Sequence, residues 1–380
     1  MTRKVIFWSS VDAAMFMRAT VDSICATGVH AEHRFAVSGT AYRKASTPWE
    51  RIVLRLRMYI EYPIRLAWAC AIDREPRICV VTTNTFFAPW VALLFSRRHQ
   101  LVIHLVWDLF PDALIEGNDR TNYDWVASRI AAVVQQIFIR VAANVFLGQR
   151  LLEHAKSKFR EVPRAHIIPV GADARVFANF PPHLVGLDMP VDILYCGNLG
   201  SMHDAKTVID ALRASAGRVE PQLGFSLAFH ASGPLYAAFK KQMQEIDGVV
   251  AKNTLLAGTL NDVEWTQRMK QAHVALVTMK PGSEKVVMPS KTYSALAAGQ
   301  AILAICPSDS DLARLLREEN CGWVVTPGCH AELWDALKEI ATNRNLLQTK
   351  RENAYRAGQS KFSDIAVARE WVKLINGLSK

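Results

Sequence analysis

The sequence lacks the features that would place it in several large classes. Its seven cysteines are odd in number and scattered, with no Cys-x-x-Cys pair and no histidine-rich cluster. Neither a disulfide framework nor structural zinc is expected, and the pattern suits reduced, buried thiols in a cytoplasmic protein. No apolar run reaches the roughly 18–20 residues that a membrane-crossing helix needs. The opening MTRKVIFWSSVDAAMF has too short an apolar centre for a secretory leader, and its KVIFWS reads as a first strand. The turn that follows, SSVDAA, has no glycine, so the dinucleotide fingerprint is missing and a nicotinamide cofactor is not expected. Repeats, low-complexity segments and nucleic-acid-binding motifs are missing too.

What is present is a chain of 380 residues, half of them hydrophobic and 21% charged, with ten Trp and sixteen Phe. That is a globular composition with enough apolar material for about two cores. The net charge of +10 is uneven. Residues 1–185 hold 23 Lys+Arg against 15 Asp+Glu, and the remainder 22 against 20. A basic first half suits an anionic membrane surface or a lipid diphosphate.

Apolar strand-like runs alternate with helical patterns along the whole chain, which implies parallel sheets covered by helices. In the first half the strands are expected at 5–8, 79–82, 101–106 and 144–148, with helices at 13–26, 49–62, 87–95 and 123–142. A proline-rich stretch, FANFPPHLVGLDMP (177–190), reads as a linker. A second series follows, with strands at 192–196, 226–230, 254–257, 274–278, 301–305 and 322–325 and helices between them. A last helical pattern covers 365–378. In the helix at 49–62, Glu50, Arg51, Arg55, Arg57 and Glu61 fall within an arc of about 160°, and Trp49, Ile52, Val53, Leu56, Tyr59 and Ile60 occupy the other side. Packing of the apolar side on the sheet is one reading. An arginine-rich helix lying on a bilayer is the other. Pro63 is expected to end or kink it.

The chain is organised around KPGSEKVVMPSKTYSALAAG (280–299). The run VALVTM before it reads as a buried strand, Lys280-Pro281-Gly282 breaks that strand, and Ser290 stands where a helix cap belongs. A loop and helix start at the carboxyl end of a parallel strand is where open α/β sheets bind ligands. Unpaired N–H groups, the Ser290 hydroxyl and the Lys291 charge suit an anion. Glu284 in the loop can accept hydrogen bonds from sugar hydroxyls. In Tyr195–Leu212 (YCGNLGSMHDAKTVIDAL), Gly197, Asn198, Leu199 and Gly200 form a backbone loop open to close approach, and His203 precedes the next helix. Asp108 follows the strand at 101–106 and is placed to orient or deprotonate a hydroxyl, with Asp112 a weaker second choice. Asp309 and Asp311 spell a metal-type Asp-x-Asp, but their place between strand and helix favours N-capping.

These segments, together with LVWDLFPDAL (105–114), HIIPVGAD (166–173) and ENCGWVVTPG (319–328), resemble in order the GT-B glycosyltransferases related to family 4. The resemblance implies two Rossmann-like, doubly wound α/β domains facing a central cleft. The acceptor domain would span 1–182, the nucleotide-sugar domain 183–362, and a returning helix 363–380. It implies a metal-independent and retaining transfer, with no cofactor, from a nucleotide-diphosphate sugar. The acceptor would be polyprenyl-diphosphate-linked, at the inner face of a bacterial cell membrane, in surface polysaccharide assembly. Gly197, Asn198, Leu199, Gly200, Pro289, Ser290, Lys291 and Tyr293 would bind the donor, and Glu284, Asp108 and His203 would serve catalysis. The sequence departs from the better-known pattern at Asn198 and Asp204, where relatives carry Arg and Lys. It departs also at Ser294 or Tyr293, where they carry a second Glu, and at Trp107, where they carry His. Two further readings stay open: a nucleotide-sugar epimerase of the same fold, and a non-catalytic partner subunit.

Overall fold

The computed structural model describes residues 3–12, 14–44, 47–115, 124–215, 224–246 and 254–378. Two six-stranded sheets make up the framework. The first contains β1 (Lys4–Val11), β2 (Ala31–Val37), β3 (Arg77–Thr82), β4 (Gln100–Val106), β5 (Ala143–Phe146) and β6 (Ala165–Ile167). The second contains β7 (Val191–Asn198), β8 (Phe225–Ser232), β9 (Thr254–Ala257), β10 (Val274–Thr278), β11 (Ala301–Ile305) and β12 (Gly322–Val325). Every neighbouring pair runs parallel. The long apolar runs explain this, because parallel strands are covered on both faces and need no polar alternation.

Strand order carries the functional information. The first sheet runs β2-β1-β3-β4-β5-β6 and the second β12-β11-β10-β7-β8-β9. The direction of winding therefore reverses between β1 and β3 in one sheet and between β7 and β10 in the other. A crevice opens at the carboxyl ends of such strand pairs, since the two connections leave for opposite faces. One apolar cluster joins the layers, running from Val5, Phe7 and Val80 through Phe177 and Trp371 to Ala295 and Ile302. The final helix, Asp364–Leu378, returns to the first sheet's layer. Trp371 meets Phe7 edge-on at 5.1 Å, and Ser23 Oγ donates to Asp364 Oδ2 at 2.5 Å. No helix among the described residues is long and apolar enough to cross a membrane.

Of the two outcomes expected at Pro63, an end or a kink, the end does not occur: the chain passes from Pro48–Leu56 through a π-helical stretch, Arg57–Glu61, into Tyr62–Ile72. The wider turn absorbs the missing proline N–H, a known use of such bulges. The apolar side of this helix also does not pack on the sheet. In Pro48–Leu56 only Leu54 is buried.

Candidate functional site

A cavity of about 560 Å³ lies where the two reversal points meet. Its floor comes from the second sheet: Gly197 and Asn198 at the end of β7, Thr278 and Met279 at the end of β10, and Pro289, Ser290 and Lys291 at the next helix start. Val11 and Asp12, at the end of β1, reach it from the first sheet, as do Gly39 and Tyr42.

Lys291 is the centre of this site. Its Nζ stands 3.9 Å over the Tyr195 ring and 3.4 Å from His203 Nε2. Gly197 has φ +131°, a region that favours glycine, and a Cβ built there would come 3.8 Å from Lys291 Nζ. Burial lowers the Lys291 ammonium from the usual lysine range to about 7. The His203 imidazole is held down to about 3, first by burial and then by Lys291. It is therefore neutral near pH 7. Its Nδ1 lies 3.1 Å from the Gly200 nitrogen and 3.2 Å from the Gly200 carbonyl oxygen. When Lys291 is charged it donates to Nε2, and Nδ1–H then donates to the Gly200 carbonyl. The pair is thus one titratable cation seated on a neutral imidazole, ready for an anion.

The neighbouring loops are tied to this pair. Lys280 N–H donates to Met202 O at 3.0 Å, and Ser283 Oγ reaches Lys280 O at 2.6 Å and Met202 O at 3.2 Å. These bonds lock the loop carrying Glu284 onto the loop carrying His203. Glu284 itself sits in a short 3₁₀ turn, Ser283–Lys285, and is 6% exposed. Its Oε2 is buried with no hydrogen-bond partner among the described residues. A buried polar oxygen left unpaired is costly, and where one persists it usually awaits a ligand, a water or an ion. Across the cleft, Leu109 N–H donates to Val286 O at 3.3 Å, which brings the segment after β4 against the Glu284 loop. Asp108 is next in sequence to that contact. Its N–H and that of Trp107 donate to Thr83 Oγ1 at 3.1 and 3.0 Å. Burial raises its carboxyl group to about 6.

The residues singled out in the sequence divide accordingly. Gly197, Asn198, His203, Pro289, Ser290 and Lys291 line the cavity together. Glu284 and Asp108 stand at its loops without being among the lining residues. Leu199 is buried in the second sheet's core, and Gly200 holds His203. Tyr293 faces away, its ring 5.5 Å from Phe362, and Ser294, one step round the helix, takes the cavity side. Ser290 makes no side-chain cap bond. At the helix start after His203, Asp204 accepts from Thr207 N at 3.0 Å and from Thr207 Oγ1 at 2.5 Å, so that N–H is taken. Asp112 is engaged by His154 and Lys158. Asp309 and Asp311 do not cap their own helix; Ser310 does. Asp309 pairs with Arg150 at 2.6 Å, and Asp311 accepts from Arg150 N at 2.9 Å, so both reach a helix of the first half. Among the described residues no three His, Cys, Asp or Glu side chains come together as a metal-binding group.

No family model matches the chain. Over 248 residues it is 24% identical to a probable glycosyltransferase, WbjE, of Pseudomonas aeruginosa, a match covering 62% of this chain and 58% of that protein. The chain therefore spans less than two thirds of that relative's length. Sucrose-phosphate synthase from Thermosynechococcus elongatus superposes with a TM-score of 0.73 over 99% of both chains, at 16% identity. HepE from Anabaena, solved with UDP, gives 0.68 over 98% of this chain and 100% of its own, at 12% identity. WaaG, a glycosyltransferase involved in lipopolysaccharide biosynthesis, gives 0.67 over 98% of this chain and 100% of its own, at 14% identity. The fold is GT-B. Its cleft between two Rossmann-like units is the crevice described above.

Sequence reasoning missed Asp12 in the GT-B cleft. It is 7% exposed, accepts from Arg18 Nη2 at 2.9 Å and lies 3.7 Å from His33 Nδ1. The signal was there. Asp12 follows a strand at its carboxyl end, the same placement that marked Asp108.

Proposed function

We propose that the chain is a glycosyltransferase that moves a sugar from a nucleotide-diphosphate donor to an acceptor hydroxyl. The observation that carries this reading is the Lys291–His203 pair lining a GT-B cleft, with the buried, unpaired Glu284 Oε2 on the loop bonded to the His203 loop. In such a transfer the bond from the anomeric carbon to the diphosphate oxygen breaks, and the acceptor oxygen takes its place. Charge grows on the leaving diphosphate and positive character on the anomeric carbon. Lys291 meets the first, and the Glu284 carboxylate the second. Asp108, with its carboxyl group near 6, takes the acceptor proton or orients the hydroxyl. Metal ions are not needed in this scheme, since a lysine supplies the charge on the leaving group. By resemblance to family 4, transfer proceeds with retention. The likeness to WaaG, a glycosyltransferase involved in lipopolysaccharide biosynthesis, supports a role in bacterial surface polysaccharide assembly. The acceptor in this reading is a polyprenyl-diphosphate-linked saccharide, met at the inner face of the cell membrane by a peripherally bound enzyme.

The test is nucleotide release. Nucleotide-sugars incubated with the protein and a bacterial envelope lipid extract should yield free nucleotide diphosphate, and only when the lipid is added. Isomerised sugar without release would point to an epimerase instead.

Lys291 makes binding depend on pH. Its free-site value lies near 7, and a bound diphosphate favours the charged amine, so binding takes up a proton. Affinity for nucleoside diphosphate should therefore be greatest below about pH 7 and fall as pH rises through it. Lys291→Met should flatten that slope in calorimetric titrations. An equal slope in both proteins would mean another group titrates.

A further inference from the structure

The segment from Pro48 to Ile72 is built inside out. In Pro48–Leu56, Trp49, Ile52, Val53 and Leu56 share an arc of about 100° at 3.6 residues per turn, and the buried Leu54 lies on the other side. After the π-helical stretch the pattern repeats. Tyr62, Leu66 and Cys70 are buried, whereas Ile64, Trp68 and Ile72 form the opposite stripe, four residues apart, and are exposed. Trp49 is 71% exposed and Trp68 69%, values that mark side chains standing clear of the protein. Leu94 and Phe95, at the end of the neighbouring helix, are exposed as well. They adjoin Ile72, because the Arg97 guanidinium donates to Ala71 O at 2.7 Å. The result is a continuous apolar ridge about 37 Å long at 1.5 Å per residue. Exposed apolar patches of that extent mark interaction surfaces.

The charges around the ridge indicate its occupant. Arg51, Arg55, Arg65, Arg97 and Arg98 border it, all exposed. Two acids on the segment are already engaged: Glu50 closes a capping box with Thr47, and Glu61 pairs with Arg57 and Arg65. A second copy docked through this face would set the same arginines against each other, since a two-fold contact presents one patch to itself. A lipid monolayer accepts both halves of the pattern. Apolar side chains enter the acyl boundary, and the arginines reach up to headgroup phosphates. The ridge also borders the cleft, because Tyr59 lies within electrostatic reach of Tyr42, a cavity-lining residue, and of Asp108.

We propose that Pro48–Ile72 with Leu94 and Phe95 is a bilayer-insertion face, docking on anionic lipid and holding the acceptor side of the cleft at the membrane surface. This deepens the membrane part of the proposed function and rests on it. It differs from an arginine-only contact, because the apolar side enters the lipid and the arginines flank it.

Sedimentation with phosphatidylcholine vesicles, with and without phosphatidylglycerol, tests it on the full chain. The wild type should bind the anionic vesicles. The triple variant Ile52→Glu, Ile60→Glu, Trp68→Glu should lose binding by about tenfold or more, because a charge at an inserted position opposes burial. All three side chains are exposed, so the thermal midpoint should stay unchanged and certify the fold. If the triple variant bound like the wild type, the face would be wrong and the membrane reading would stand. If the wild type bound no vesicle, both would fall. A wild-type dimer that the triple variant converts to monomer would assign the face to a second copy and overturn the proposal. None of these outcomes alters the transferase reading, which nucleotide release decides separately.

Discussion

Glu284→Gln should lower kcat by about 10²-fold or more while leaving nucleotide affinity nearly unchanged. The side chain is buried in the 3₁₀ turn between β10 and Lys291, and its Oε2 has no partner among the described residues. An unpaired carboxylate oxygen in that position disfavours the empty protein. Sugar hydroxyls relieve it on binding, and positive character at the anomeric carbon relieves it further in the transition state. Only the second effect raises kcat, because catalysis needs an interaction that is stronger in the transition state than in the ground state. Glutamine keeps the shape and one acceptor but removes the charge. The same change should leave thermal stability no lower than in the wild type, as expected when a residue is kept for function at some cost to the fold. Wild-type turnover in the variant, measured with its true donor and acceptor, would make Glu284 a structural loop residue.

Lys291→Ala should act on the other side of the reaction. It removes the cation that donates to His203 and should weaken nucleoside diphosphate binding by about 1–3 kcal/mol, the scale of a charge-assisted hydrogen bond, or about 5- to 150-fold. Gly197 and the Tyr195 ring hold the amine in place, so a longer cation at 291 is not a neutral exchange. The two variants should split the kinetics: Glu284 appears chiefly in kcat, and Lys291 chiefly in affinity. Titration calorimetry with the diphosphate alone reads the second without knowledge of the sugar. Unchanged affinity in a folded Lys291→Ala protein would remove Lys291 from the phosphate seat.

How much was legible in the sequence varies from element to element. β9 to β12 fall on the residues expected, because Thr254–Ala257, Val274–Thr278, Ala301–Ile305 and Gly322–Val325 are compact runs bounded by polar or turn residues. β2 was not expected. Ala31–Val37 (AEHRFAV) is a half-buried edge strand whose Glu, His and Arg hide its pattern. The helix Arg344–Gln359 was also missed, because its buried positions include Arg344, Lys350 and Arg351. Their burial is tolerated through partners distant in sequence. Arg351 Nη1 donates to His183 O at 2.6 Å, and Arg344 Nη2 to Met189 O at 2.9 Å. Sequence periodicity carries no trace of such bonds. The same limit applied to the site. Lys291, His203 and the glycine loop follow from local order, strand then loop then helix. Which of Tyr293 and Ser294 faces the cavity is a matter of 100° of rotation, and it is set by Phe362. The inverted apolar side of Trp49–Leu56 was visible as an amphipathic pattern, but its outward direction depends on Leu54 alone finding the core.

The central claim is that the cleft binds a nucleotide-diphosphate sugar through Lys291. The most direct measurement is thermal unfolding of the wild type and of Lys291→Ala across a panel of nucleotide-sugars and nucleoside diphosphates. A ligand that binds the native state raises stability by RT ln(1 + [L]/Kd). The expected result is a concentration-dependent rise in Tm with one nucleotide class in the wild type, and little or none in Lys291→Ala. A flat panel in the wild type, or an equal rise in both proteins, would contradict it.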